Sequence, residues 1–149
     1  MEELELLIYF SGFIFLFLLG LIVGGRNEKN HLKKLDIEEK ELEDIHCSDI
    51  KSFPEGVKPG STITAVSAQV VIANDYFKTL AGSLRNIFGG EVKSYELLIR
   101  RGRREAVVRL KKEARELGLD TICNIRFETS NISNGAEVLV YGTAYERNT

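Results

Sequence analysis

The chain has 149 residues, 28% of them charged, and a formal net charge of -2. That length suits one compact domain plus an appendage, and the near-balance of charge gives no global pull toward nucleic acid. Cys47 and Cys123 are the only cysteines; they are too few for a disulfide scaffold, so two free thiols in a reducing compartment are expected.

Leu6 to Gly25 carries no charge and is dominated by Leu, Ile and Phe. About 20 residues at a 1.5 Å rise reach roughly 30 Å, the thickness of a bilayer's hydrocarbon core. A cleaved signal peptide is the competing reading, but Glu2, Glu3 and Glu5 replace the positive leader it needs and no A-x-A-like site follows. A buried core helix would be hard to house in so small a domain. The expectation is an uncleaved, single-pass anchor over residues 1–25. Arg26, Lys29, Lys33 and Lys34 follow the span, which puts the N-terminus outside and the C-terminal domain in the cytoplasm by the positive-inside rule. Gly20-x-x-x-Gly24 offers a helix-pairing face, although small residues are common in such helices anyway.

Residues 26–44 are densely charged, with Leu32, Leu35 and Leu42 as the main apolar points. They read as a solvated juxtamembrane helix or linker, with too few heptads for a coiled coil. The domain proper is expected over residues 45–149. Ile45 to Ser48 reads as a short edge strand, followed by a turn-rich link through Pro54, Gly56, Pro59 and Gly60. Ile63 to Ile72 is rich in β-branched residues, as strands are.

Two helices come next. Asn74 or Asp75 can cap the first, whose apolar positions Tyr76, Phe77, Leu80, Ala81, Leu84, Ile87 and Phe88 keep helical spacing, and Gly89 or Gly90 can stop it. Ser94 caps the second, a long basic helix that ends at Leu117-Gly118. Thr121 to Glu128 alternates Cys123, Ile125 and Phe127 against Asn124, Arg126 and Glu128, the pattern of a half-buried strand. Asn134-Gly135 signals a hairpin, and Glu137 to Tyr145 returns as a strand apolar on both faces. One face suits the helices; the other needs a cover, for which a neighbouring subunit is the natural candidate. The order strand, strand, helix, helix, strand, strand predicts an α+β domain with an antiparallel sheet backed by the long helix.

Asp75-Tyr76-Phe77, Gly89-Gly90, Ser94-Tyr95-Glu96, Arg100, Arg103, Ala106, Ala114-Arg115, Leu117-Gly118 and Gly142-Thr143-Ala144 together resemble the YbjQ-like family, over roughly Ile45 to Tyr145. His31, Leu35 and Glu39 look like the lead-in of its membrane-anchored members. The resemblance implies the same α+β fold, a dodecin-like subunit, and homo-oligomeric assembly as a pentameric ring. It also brings the label heavy-metal-binding, which makes a heavy or transition metal ion the one cofactor to weigh.

A metal site needs three or four Cys, His or carboxylate groups converging on one point. His46 and Cys47 are the candidates here, but adjacent strand residues point to opposite faces, and neither C-x-x-C nor H-x-x-x-H occurs. The basic helix carries Arg100, Arg101, Arg103, Arg104, Arg109, Lys111, Lys112 and Arg115 against Glu96, Glu105, Glu113 and Glu116. A solvated face partly paired with itself, as Glu96 with Arg100 and Glu105 with Arg109, accounts for it. The functional alternative is an anion, with anionic lipid headgroups favoured over nucleic acid because no aromatic interleaving accompanies the charge. Gly102 inside this helix costs about 1 kcal/mol relative to Ala and marks either a close contact or an imperfection.

The ligand-binding candidates are Asp75, Phe77, Gly89, Gly90, Tyr95, Glu96, Arg100 and Arg103. The glycine turn and the start of the long helix could cradle an anion, although capping, core filling and turn formation explain most of the same residues. No nucleophile–base set or phosphate fingerprint is present, so no enzyme is expected. The function read from sequence is a membrane-anchored, cytoplasm-facing, non-enzymatic ligand-binding or scaffold module, with heavy-metal binding as the alternative.

Overall fold

The computed structural model describes residues 2–53, 56–73, 93–132 and 135–148. The elements are α1 (Glu2–Glu41), β1 (His46–Cys47), β2 (Thr64–Ala73), α2 (Lys93–Glu116), β3 (Thr121–Ile132) and β4 (Gly135–Tyr145). The sheet order is β1-β3-β4-β2. A mixed α+β fold with a long helix on a sheet is therefore observed. The helix expected between Asn74 and Phe88 lies outside the described residues, as does Asn134 of the hairpin signal.

The charged stretch after the apolar segment takes the helical alternative, but one side of it is buried and not solvated. It continues α1 without a break, and Leu35, Leu42 and Ile45 are each 2% exposed within the same core cluster as the sheet. Acidic side chains flanking these leucines meet the basic face of α2. Arg104 bonds Asp36 and Glu39, Lys112 lies 3.0 Å from Glu38, Glu105 lies 3.0 Å from His31, and Arg115 pairs with Asp44. From His31 with Glu105 through Glu38 with Lys112 to Asp44 with Arg115 the residue numbers rise together, so α1 and α2 run parallel.

That parallel pairing explains a second departure. β1 pairs with β3 in parallel, His46 opposite Thr121 and Cys47 opposite Ile122, so the sheet is mixed and not wholly antiparallel. Each of the two helices runs the same way and turns back through a short link into a strand, so the two strands must also share a direction. The link after α2 is a glycine turn: Gly118 sits at φ 73°, its N–H bonds Arg115 O at 2.9 Å, and Leu119 N–H bonds Ala114 O at 2.9 Å. These two bonds form a Schellman motif, in which glycine takes the left-handed position at no steric cost. The stop expected at Leu117-Gly118 is met.

On the sheet, Val66, Val70 and Ile72 of β2 and Val138, Val140 and Ala144 of β4 are buried against Ala106, Leu110 and Ala114 of α2. The alternation expected for β3 fails at one point. Cys123 pairs with Thr143 but Arg126 with Tyr141, so β3 holds an extra residue there, and Asn124 adopts φ 53°. This bulge reverses the facing of the residues beyond it. Phe127 pairs with Val140 on the face toward α2, while Cys123 lies on the opposite face beside Thr121 and Tyr145.

Cover for that opposite face comes partly from the chain itself. Tyr145 is fully buried, with the Phe53 ring set edge-on at 5.0 Å. Further along, Tyr141 and Val71 are 38% and 60% exposed. α2 also closes the outer edge of β2: Ser67 N–H donates to Glu113 Oε2 at 2.9 Å and Arg109 donates to Gln69 O at 3.0 Å. Capped in this way, the edge has fewer free backbone groups to offer another strand.

Candidate functional site: a groove between the long helix and the β3 edge

The bulge and the shortness of β1 leave an opening beside α2. Once β1 ends at Cys47, the chain turns away, held by Asn124 N–H to Ile50 O at 2.8 Å and Arg126 to Asp49 O at 3.0 Å. The result is a groove of about 530 Å³ lined by Cys47, Ser48, Asp49, Arg103, Val107, Ile125, Arg126 and Phe127. Val107, Ile125 and Phe127 make its apolar part and two guanidinium groups border it.

Arg103 lies over the Phe127 ring, 5.7 Å from the centroid. A cation over an aromatic face gains about 0.5–1 kcal/mol where exposed. That is enough to hold the guanidinium over the ring while its N–H groups remain available. Arg103 has no carboxylate partner among the described residues, unlike Arg104, Arg109 and Arg115 of the same helix. The groove therefore presents positive charge over an aromatic floor, an arrangement suited to an anion with a flat or apolar body.

Cys47 is an exposed residue whose sulfur is crowded by its neighbours, and this desolvation pushes its thiol above the ordinary range, opposed by the Lys111 charge. Cys123 is buried, and its thiol is likewise raised by desolvation. Both cysteines are free. Among the described residues no group of three His, Cys or carboxylate side chains could hold a metal ion.

Of the residues singled out from sequence, Asp75, Phe77, Gly89, Gly90 and the Tyr95 side chain lie outside the described residues. Glu96 is exposed and bonded to Arg100 at 2.9 Å, away from the groove lining. Arg103 and Cys47, chosen for different reasons, come together in one groove, and His46 does not line it. Sequence reasoning missed Arg126 and Phe127. The alternation placed Phe127 on one face with Cys123 and Ile125, and only the bulge at Asn124, a residue tolerant of positive φ, could have warned otherwise.

A family model described as "Putative heavy-metal-binding" matches residues 53–147. Among curated proteins, a UPF0145 protein of Halobacterium salinarum is 40% identical over 91 residues, covering 58% of this chain and 88% of the relative. One from Archaeoglobus fulgidus is 44% identical over 80 residues, covering 53% and 74%. One from Pyrococcus furiosus is 43% identical over 76 residues, covering 50% and 67%. A crystal structure of a protein of unknown function in the DUF74 family, from Pediococcus pentosaceus, aligns with a TM-score of 0.40 at 18% identity, over 70% of this chain and 98% of that one. The matched segment contains the groove residues on α2 and β3. It excludes His46 and Cys47, and Cys123 is the only Cys or His within it.

Proposed function

Because the chain belongs to the YbjQ family, we propose that it is a membrane-anchored, non-enzymatic binding module whose groove takes a small organic anion with a flat or apolar body. The observation that carries the ligand class is Arg103 held over Phe127 without a carboxylate partner among the described residues. A bound carboxylate, sulfonate or phosphate would gain charge-assisted hydrogen bonds from Arg103, each stronger than a neutral one, while its body rests on Phe127, Val107 and Ile125.

The anchor is supported by the first half of α1, the one described helix long and apolar enough to cross a membrane, with its apolar stretch unburied. Lysines and arginines cluster after it and glutamates before it, so the N-terminus lies outside and the domain faces the cytoplasm. Self-association through the uncovered sheet face, as the pentameric ring the resemblance implies, completes the reading.

Heavy-metal binding is the alternative, favoured by Cys47 lining the same groove. Native mass spectrometry of the full chain, released from detergent, separates the two. An organic anion lost in Arg103→Ala supports the groove reading. A metal lost in Cys47→Ser and retained in Arg103→Ala reverses the order.

A further inference from the structure

The ion pairs of the two helices are unevenly distributed. Toward their C-terminal ends most bases of α2 meet acids: Arg104 with Asp36 and Glu39, Arg109 with Glu105, Lys112 with Glu38, and Arg115 with Asp44. Toward their N-terminal ends several bases meet no acid among the described residues. Arg26, Lys29 and Lys33 on α1 and Arg103 on α2 have no carboxylate partner among the described residues. Among the described residues Arg100 has only the exposed Glu96 of its own helix. In the sequence between Arg26 and Leu35, Glu28 is the one acidic residue.

The parallel register fixes where this unpaired charge lies. Contacts from His31 with Glu105 and Glu38 with Lys112 to Glu39 with Arg104 bracket the alignment, so an equal step back along both helices places Arg100 level with the stretch between Arg26 and Leu35, just beyond the apolar half of α1. The sheet agrees. A methyl group added at Gly102 would meet Ile72 and Val138 at 2.9 Å, and β2 and β4 continue from there to Ala73 and Gly135. The start of α2 and the β3–β4 hairpin therefore share the end of the domain nearest the apolar segment.

We propose that this end is a lipid-contact surface. Arg100 on the domain joins Arg26, Lys29 and Lys33 on the stalk to form a collar that binds anionic phospholipid headgroups. The inference rests on the membrane-anchored reading and adds which end of the domain faces the leaflet and which lipids hold it there. Most C-terminal bases take no part because acids already meet them, Arg104, Lys112 and Arg115 through α1 and Arg109 through Glu105, while Lys111 is held by the Leu42 carbonyl. Each cation at an anionic surface contributes about 1 kcal/mol, so each neutralisation should shift the ratio of seated to lifted domains about fivefold.

The test uses the full chain reconstituted in phosphatidylcholine vesicles with or without phosphatidylglycerol, carrying a photocrosslinking phenylalanine analogue at Leu97 or at Leu117. These exposed leucines mark opposite ends of α2. The expected result is lipid crosslinking from Leu97 that strengthens with phosphatidylglycerol and falls about fivefold in Arg100→Gln, with little from Leu117. Flotation of the same vesicles checks the premise. Protein that does not float in either lipid overturns the anchor and the collar together. Protein that floats but crosslinks equally from both leucines, or regardless of lipid charge, overturns the collar alone.

Discussion

Arg104 grips Glu39 through two side-by-side hydrogen bonds, Nε to Oε1 at 2.9 Å and Nη2 to Oε2 at 2.7 Å. The same Nη2 reaches Asp36 Oδ1 at 2.7 Å. Glu39 first and then Asp36 hold this guanidinium charged well above its ordinary range. The fork-on-fork geometry needs arginine; lysine offers only a point charge.

This clasp ties the stalk to the domain, and it predicts a measurable coupling. Because Arg104 is 38% exposed, solvent screens the pair and the expected energy is about 0.5–1 kcal/mol. A double-mutant cycle of Arg104→Ala with Glu39→Gln, followed by denaturant unfolding in detergent, should return that value and shrink with added salt. Arg104→Lys should recover less than half of it. A coupling below about 0.2 kcal/mol, within the range of inert surface pairs, would remove the clasp from any account of how α1 is held.

Gly102 resolves into a close contact. Alanine there would gain about 1 kcal/mol of helix propensity, but its Cβ would lie 2.9 Å from both Ile72 Cδ1 and Val138 Cγ2. The isoleucine tip can move; Val138 is fully buried and has little room to yield. Overpacking of this kind costs about 1–3 kcal/mol. Gly102→Ala should therefore be destabilising by about 1 kcal/mol, read from the unfolding midpoint. A stabilised variant would mean that α2 sits further from the sheet.

The two thiols set an alkaline limit. Desolvation raises both above the reference value of 9.0. The folded chain therefore releases these protons later than the unfolded chain does. The stability they contribute is complete below about pH 9 and is lost as pH rises through the folded values. Unfolding free energy should decline on the alkaline side, and Cys123→Ala should flatten that decline; an unchanged slope would contradict it. Alkylation of Cys47 should be slow at neutral pH, since the thiolate is the reactive form. A heavy metal bound there would have to displace the thiol proton.

The sequence was most informative where local chemistry decides the outcome. Gly118 stops α2, β-branched residues form β2, and the apolar run of α1 is helical, because glycine conformation, branching and hydrophobicity act within a few residues. It was least informative where distant segments meet. Asp36 and Glu39 look like solvated charge until Arg104 is placed opposite them, and the parallel helices that give β1 and β3 one direction cannot be read from either strand. The groove depended on a single extra residue near Asn124, which moved Phe127 to the α2 side and under Arg103. Charge complementarity between residues 36–44 and the basic helix was the one long-range signal visible in the letters.

The uncovered part of the sheet leads to a prediction about assembly. Val71 and Tyr141 stand exposed, Leu139 is half-buried, and the Tyr141 hydroxyl donates to Glu128 at 3.3 Å. Phe53 shields Tyr145, so the unmet area lies beyond it, from Tyr141 toward Val71 and Ile132 near the β3–β4 hairpin. An apolar patch there is best buried against identical copies, since closed symmetry treats every subunit alike. The test must keep residues 26 onward, because Leu35 and Leu42 belong to the core. Light scattering of that fragment at micromolar concentration should give a multiple of the chain mass, and Leu139→Lys or Tyr141→Lys should reduce it to one chain without lowering helix content. A monomer before mutation would leave α1 as the only source of assembly. An oligomer that survives both lysines would move the interface to the strand edges, where Arg109 and Glu113 now occupy the outer side of β2.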